Sequence, residues 1–340
     1  LDSLTHVLIG AAVGELILGK KMGNKAMFWG ALASSIPDID MMSYWFLNDF
    51  DAALIHRGFT HSILFCIIIS PILGYLVYFN YRSLTSDYIG WTKLFLAGTL
   101  AHISLDYCTA YGTEILWPFS HYRFSNSNIS VFDPFFTLPL LLLIPLILML
   151  RKGSSMRRTI CFISIFLSFG YIAFTIYNNQ KVLLVLKKNT RLENINAVRY
   201  FTSPTFGNNL LWNLVAETED GFYASNYSIF DKSDITKMYY FPKNKFVENK
   251  LDVKEIKKLR RFSTDFIGYD TSNQKIIAND FRFGRFDGYH STNNRFIFSF
   301  DIKNINNRTQ IKAIAPPRDF NTDMIKKFYK RMLGDVTAFE

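Results

Sequence analysis

Three stretches of this chain carry no charged residue over a length that can cross a lipid bilayer. Residues 62–79 are 18 such residues, 134–150 are 17 and 159–177 are 19. A helix of about 20 apolar residues matches a hydrocarbon core about 30 Å thick. Residues 94–110 form a similar run that contains His102 and Asp106. A soluble helix needs a polar face, and these runs offer none. Pro71, Pro139 and Pro145 would break soluble helices, but membrane helices tolerate proline. Two shorter runs come first, Leu4 to Gly19 and Lys25 to Ile36. At about 1.5 Å per residue they are short for full spans, and they read as thin-region spans or a hairpin dipping partway into the bilayer. The run from Val7 lacks a basic leader and a small-residue cleavage site, so no cleavable signal peptide is expected.

Charge divides the chain at the end of the last run. Residues 1–177 hold 11 Lys and Arg against 10 Asp and Glu, leaving 27 against 18 for residues 178–340, a net charge of +9. Five of the six histidines lie in the first part. The expected fold is therefore an α-helical membrane domain over residues 1–177, with about six membrane-embedded helices, followed by a β-rich α+β soluble domain over residues 178–340. Three cysteines with no close pair exclude a disulfide framework and a thiolate zinc site. Basic residues orient the helices, because cytoplasmic loops retain Lys and Arg. Lys20, Lys21, Lys25, Arg82, Lys93, Arg151, Lys152, Arg157 and Arg158 flank alternate connections, whereas the opposite connections carry Arg57 and Arg123 alone. This bias puts the N-terminus, the loops 37–61 and 111–133, and the second domain on the outer side of a multi-pass inner-membrane protein.

The costly polar residues gather at that same face. Asp2 and His6 open the first helix, and Asp38 and Asp40 close the second in Pro37-Asp38-Ile39-Asp40. His56, Arg57 and His61 precede the third helix in His56-Arg57-Gly58-Phe59-Thr60-His61-Ser62. His102 and Asp106 stand four apart near the outer end of the fourth, one helical turn from each other on one face. Arg123 and Asp133 precede the fifth. Imidazole and carboxylate donors suit a divalent metal, zinc first, with manganese or iron as the other candidates. His6, Asp38, Asp40, His56, His61, His102 and Asp106 form the candidate ligand set, and their number exceeds one tetrahedral site, leaving room for more than one ion. Such a site polarises water and stabilises an oxyanion or phosphoryl group, with Asp38 or Asp40 as base or ligand and Arg57 or Arg123 holding an anionic substrate.

Other polar residues have plainer readings. Asp2 reads as a helix cap, Asp49 and Asp51 as loop charges, and His121 as a solvated or hydrogen-bonded loop residue outside the ligand set. Glu15 lies mid-helix and out of phase with His6, so it is expected to pair with Lys20 or Lys21 rather than bind the same ion. Cys66 and Cys161 read as packing residues.

Taken together, Asp2-Ser3-Leu4-Thr5-His6, Pro37-Asp38-Ile39-Asp40, His56-Arg57-Gly58-x-Thr60-His61-Ser62 and His102-x-x-x-Asp106 resemble the YdjM family. Leu211-Trp212-x-Leu214-Val215-Ala216, Asp220-Gly221-Phe222-Tyr223 and Asn279-Asp280-Phe281-Arg282-Phe283-Gly284 resemble that family's C-terminal part, so the likeness covers nearly the whole chain. Members are described as inner-membrane metal-dependent hydrolases, some of them LexA-regulated, and the resemblance implies that activity with the substrate open. A looser likeness to the zinc-dependent phospholipase C and single-strand nuclease superfamily points towards a phosphoester, although no later His-x-x-x-Glu completes that metal set. Leu1 stands where an initiator Met would be expected.

The second half alternates apolar and polar residues in short runs at 210–216, 222–230, 275–277 and 296–302, with Asp220-Gly221 as a hairpin signal and helices expected over 250–261 and 322–333. Its basic charge suits anionic headgroups. Expected partners are membrane lipids and a small-molecule or lipid substrate; nucleic acid is not expected, given the outer location. The rival to a hydrolase is a non-catalytic metal-binding membrane protein or a metal or ion transporter. Transport needs polar residues at several depths, whereas here they cluster at one end and favour an enzyme.

Overall fold

The computed structural model describes residues 1–84, 87–271, 275–285, 287–289, 296–305, 308–315 and 322–339. Asp2 caps α1 (Ser3–Met22), its carboxylate accepting from the Thr5 N–H. The first run therefore does not fall short of a span. Lys20 and Lys21 extend it to a helix of 20 residues, because basic side chains are stabilising at a helix C-terminus. Gly23, at a φ of +59°, turns the chain into α2 (Asn24–Ser35, 12 residues). The two helices pack antiparallel through glycine. A Cβ on Gly14 would lie 2.1 Å from the Ala26 carbonyl oxygen, and one on Gly10 2.4 Å from that of Gly30. This is the small-residue contact by which membrane helices approach closely. Gly14→Leu should force α1 from α2 and cost about 1–3 kcal/mol, read as a lowered thermal midpoint in detergent.

A 3-10 helix (Pro37–Trp45) follows, with proline in its first turn, where a missing N–H costs nothing. Then come α3 (Asp49–Ile55), a short 3-10 helix (Phe59–His61), α4 (Ile63–Tyr81), α5 (Tyr88–Tyr107), α6 (Pro134–Met149) and α7 (Ser155–Leu192). Ser62, Asp87 and Asp133 cap α4, α5 and α6 through N–H groups of Phe65, Gly90 and Phe135. Among the described residues α1, α4 and α7 are long and apolar enough to cross a membrane, and α6 is an apolar helix of 16 residues. The last apolar run ends at Tyr177, but α7 continues to Leu192, since no glycine or proline interrupts residues 178–192.

The chain divides into two compact units. The first comprises Leu1–Phe46, Ile55–Asn126 and Val131–Phe174, and the second Leu47–Leu54, Ser127–Ser130 and Thr175–Glu340. In the first, Leu18 and Ala26 pack with Val77, Trp91 and Phe95. The partner of Glu15 there is Arg157, not Lys20 or Lys21. Arg157 Nε and one of its terminal nitrogens donate to the two Glu15 oxygens at 3.0 and 2.6 Å. The other terminal nitrogen donates to Asn24 Oδ1 and to the Ile147 and Leu150 carbonyls. A planar guanidinium can satisfy all of these at once, and a lysine ammonium cannot.

The second unit contains two four-stranded antiparallel sheets among its described residues. One is β1 (Arg199–Pro204), β2 (Leu211–Glu217), β3 (Gly221–Ser228) and β4 (Tyr239–Pro242) in that order. The other is β5 (Ile267–Asp270), β6 (Ile276–Arg285), β7 (Phe296–Ile305) and β8 (Arg308–Ile314). The β2–β3 hairpin turns at Asp220-Gly221 and pairs Trp212 with Tyr227. Helices α8 (Val253–Ser263) and α9 (Thr322–Met332) complete the unit. Val182, Val185 and Leu186 on α7, spaced for one helix face, pack with Trp212 and Leu214. Residues 47–54 are part of this unit: Phe50 is buried against Phe262 and Phe300, and Asp51 pairs with Lys258 at 2.8 Å.

Candidate metal centre

Four side chains in the first unit converge on one point: Asp38 from the longer 3-10 helix, His61 from the shorter one, and His102 and Asp106 from α5. The facing Nε2 atoms of His61 and His102 are 3.1 Å apart. Asp38 Oδ1 is 3.5 Å from each of them. Asp106 Oδ2 is 3.4 Å from each. Four ligands around one zinc, with bonds of about 2.0–2.1 Å, stand about 3.3 Å apart along the edges of the tetrahedron. Five of the six distances among these atoms are close to that spacing. Asp106 Oδ2 is buried, makes no hydrogen bond of good geometry among the described residues, and has the Arg57 guanidinium 3.1 Å away.

Both rings are held so that Nε2 faces the centre. His102 Nδ1 donates to the Ser34 carbonyl at 2.5 Å. His61 Nδ1 lies 3.1 Å from Asp40 Oδ2. Hydrogen bonds of this kind fix the tautomer and orientation of metal-binding histidines. Asp40 also pairs with His56 Nδ1 at 2.9 Å and accepts from the Thr60 hydroxyl and the Arg57 N–H. Asp40, His56 and His61 thus form a second group whose donor atoms lie within 4.8 Å of one another. Arg57 has a φ of +66°, rare outside glycine. Its N–H bond to Asp40 holds that conformation, and strain of this kind concentrates at functional sites.

The charges at the site interact strongly, with the Arg57 guanidinium beside Asp106. Burial opposes ionisation of Asp38, yet hydrogen bonds from His102 and His61 hold its carboxyl far below the usual range. Asp40 is likewise opposed by burial and held low by His56 and His61. Burial works against a charged His61, but its bonds to Asp106, Asp38 and Asp40 push it up to about 10. Three carboxylates surround that one ring.

His6 lies beside the four ligands. Its ring stacks on His102 with centroids 3.7 Å apart, and its Nε2 is 3.3 Å from Asp106 Oδ1. Arg57 is buried, with Nε 3.1 Å from Asp106 Oδ2 and a bond to Thr109. Arg123 is buried too, donating to the His56 carbonyl and lying 3.7 Å from Glu114. Both guanidinium groups stand over the Tyr111 ring, at 4.8 and 5.2 Å. His121 pairs with Glu114 away from the cluster, and Asp133 caps α6. Sequence reasoning passed over Thr60, Thr109, Tyr111 and the Ser34 carbonyl. Thr60 lies inside the His56–Ser62 motif and could have been read there. A backbone carbonyl leaves no trace in a sequence.

A family profile described as YdjM inner membrane protein matches residues 1–182. A Bacillus subtilis (strain 168) relative, named Uncharacterized protein YfhP, is 32% identical over 145 residues, 40% of this chain and 42% of that protein. Inner membrane protein YbcI of Escherichia coli (strain K12) is 29% identical over 123 residues, 36% of this chain and 69% of its own length. The match therefore spans less than half of the Bacillus protein. No solved structure matches the chain.

Proposed function

The chain belongs to the YdjM inner membrane protein family, and from that premise we propose that it is a membrane-bound metal-dependent hydrolase. The helical unit is multi-pass, with about six membrane-embedded helices, its site at the outer face and the β-rich unit outside the cytoplasm. The observation that carries the reading is the spacing of Asp38, His61, His102 and Asp106, five of whose mutual distances lie between 3.1 and 3.5 Å. These four would hold a divalent ion, zinc by donor set and tetrahedral spacing. Such an ion supplies Lewis acidity and lowers the pKa of water.

The chain's own residues prepare the reaction. Asp40 orients His61, and the Ser34 carbonyl orients His102. Asp40→Asn should weaken metal binding by about 10–100-fold, measured by chelator competition. Asp38 is the least buried of the four, with a side chain 20% exposed against 0–1% for the others, so the substrate meets the site on its side. Arg57 orients Asp106 and brings positive charge to the anionic side of the reaction. His6 packs His102 in place and would be a further donor if a second ion were bound. Binding of Glu15 by Arg157 removes the one mid-run acid from any transport path, which supports an enzyme over a transporter.

The test is a screen of reconstituted protein against phospholipids, lipid-linked phosphates, esters and amides. Turnover should stop with chelator and in Asp106→Asn. No turnover of any class, with metal-dependent flux into proteoliposomes instead, would make the transporter reading correct.

A further inference from the structure

Helix α2 is too short to cross a bilayer from the turn it shares with α1. Its 12 residues rise about 18 Å, whereas the 20 of α1 rise about 30 Å, the thickness of the hydrocarbon core. The chain thus leaves α2 about 12 Å below the level at which α1 begins. If α1 crosses the bilayer and α2 returns through it, the 3-10 helix that carries Asp38 and Asp40 would start there, inside the leaflet.

That helix is covered with apolar side chains that nothing in the protein buries. Ile39, Met41 and Met42 are exposed, as are Trp45 (75%) and Phe46 (79%). His102 is five residues and Asp106 one residue before the end of α5, so these two side chains start about 8 and 2 Å inside the end of that helix. Interfacial segments bury their apolar faces about 5–10 Å into the boundary between headgroups and acyl chains. Asp38, the least buried of the four ligands, lies on the same short helix as the exposed apolar residues. Met41, Met42 and Trp45 are thus exposed on the helix that carries the most accessible of the four ligands.

We propose that the substrate is a membrane amphiphile that reaches the site sideways from the surrounding leaflet. Its acyl chain lies along Met41, Met42, Trp45 and Phe46, and its polar linkage sits at Asp38. This deepens the hydrolase reading and rests on it for the chemistry, but not for the docking. Hydrolysis would break the acyl–oxygen or phosphorus–oxygen bond of the linkage. The hydroxyl of water joins the acyl carbon or phosphorus, and its proton goes to the leaving oxygen.

Two measurements on the full chain in phospholipid nanodiscs test this. In the first, lipids brominated at shallow or deep acyl positions quench tryptophan fluorescence. Shallow bromine should quench the wild type more than Trp45→Tyr. Equal quenching of the two at every depth would overturn the proposal, whatever the activity. In the second, hydrolysis of a bilayer phospholipid is compared with that of a short-chain, water-soluble analogue, in the wild type and in Met42→Ser/Trp45→Ser/Phe46→Ser. The ratio of the two rates should fall at least about tenfold, the factor that partial loss of apolar contact for three side chains gives. Equal falls on both substrates, with metal content unchanged, would overturn sideways access. Shallow quenching at Trp45 without hydrolysis of any class would fail the hydrolase reading and leave the lipid docking standing.

Discussion

Protein carrying His102→Ala should lose its divalent ion. His102 Nε2 stands 3.1–3.5 Å from the three other donor atoms of the cluster, so its removal opens one corner of the tetrahedron. It also removes the ring that stands 3.5 Å from the Asp38 carboxylate and 3.4 Å from that of Asp106. Outer-shell changes at metal sites cost about 10–100-fold in affinity, and loss of a direct ligand should exceed that range. Elemental analysis after purification, followed by chelator competition, gives the number. His121→Ala is the control, because that ring pairs with Glu114 and not with the cluster. His6→Ala separates one ion from two: retention of a single equivalent would assign His6 to packing against His102, whereas a fall from two equivalents to one would assign it to a second ion. Equal metal content in wild type and His102→Ala would make the cluster a structural network of ion pairs.

Arg157→Ala should be among the most destabilising single changes in the helical unit. It strips Glu15 of both its guanidinium bonds and leaves the Ile147 and Leu150 carbonyls at the end of α6 without that donor. Removing one partner of a buried pair costs about 3–5 kcal/mol, because the remaining charge is left uncompensated. Glu15→Leu/Arg157→Met should recover much of that loss, since no charge is then stranded. Arg157→Lys should fall between, because an ammonium cannot reproduce the fork. Thermal midpoints in one detergent would rank the variants. A single alanine variant as stable as the double would mean that water or lipid headgroups already solvate Glu15.

What was legible in the sequence is local. Uncharged runs foretold α4, α6 and the first part of α7, since hydrocarbon admits few other structures than a helix that satisfies its own backbone. Alternation and Asp220-Gly221 foretold β2 and β3, because the period of a strand is two residues and a tight turn needs these residue types. The spacing of His102 and Asp106 placed two donors on one helix face, and charge alone gathered the remaining candidates near them.

Packing decided the rest. Which four of seven candidates face one another depends on how α5 lies beside the two 3-10 helices. The bonds from His61 to Asp40, and from His102 to the Ser34 carbonyl, select one nitrogen of each ring only once those elements meet. Glu15 found Arg157, 142 residues away, over the lysines five and six residues along its own helix, because a buried carboxylate takes the donor that packing delivers to it. Phe50 and its neighbours, read from the sequence as part of a loop in the helical half, are built into the β-rich unit through Phe262 and Phe300. Periodicity and composition act over one or two turns of chain and so can be read in order. Partner choice is set by the three-dimensional contact that satisfies a buried group, and no linear pattern records it.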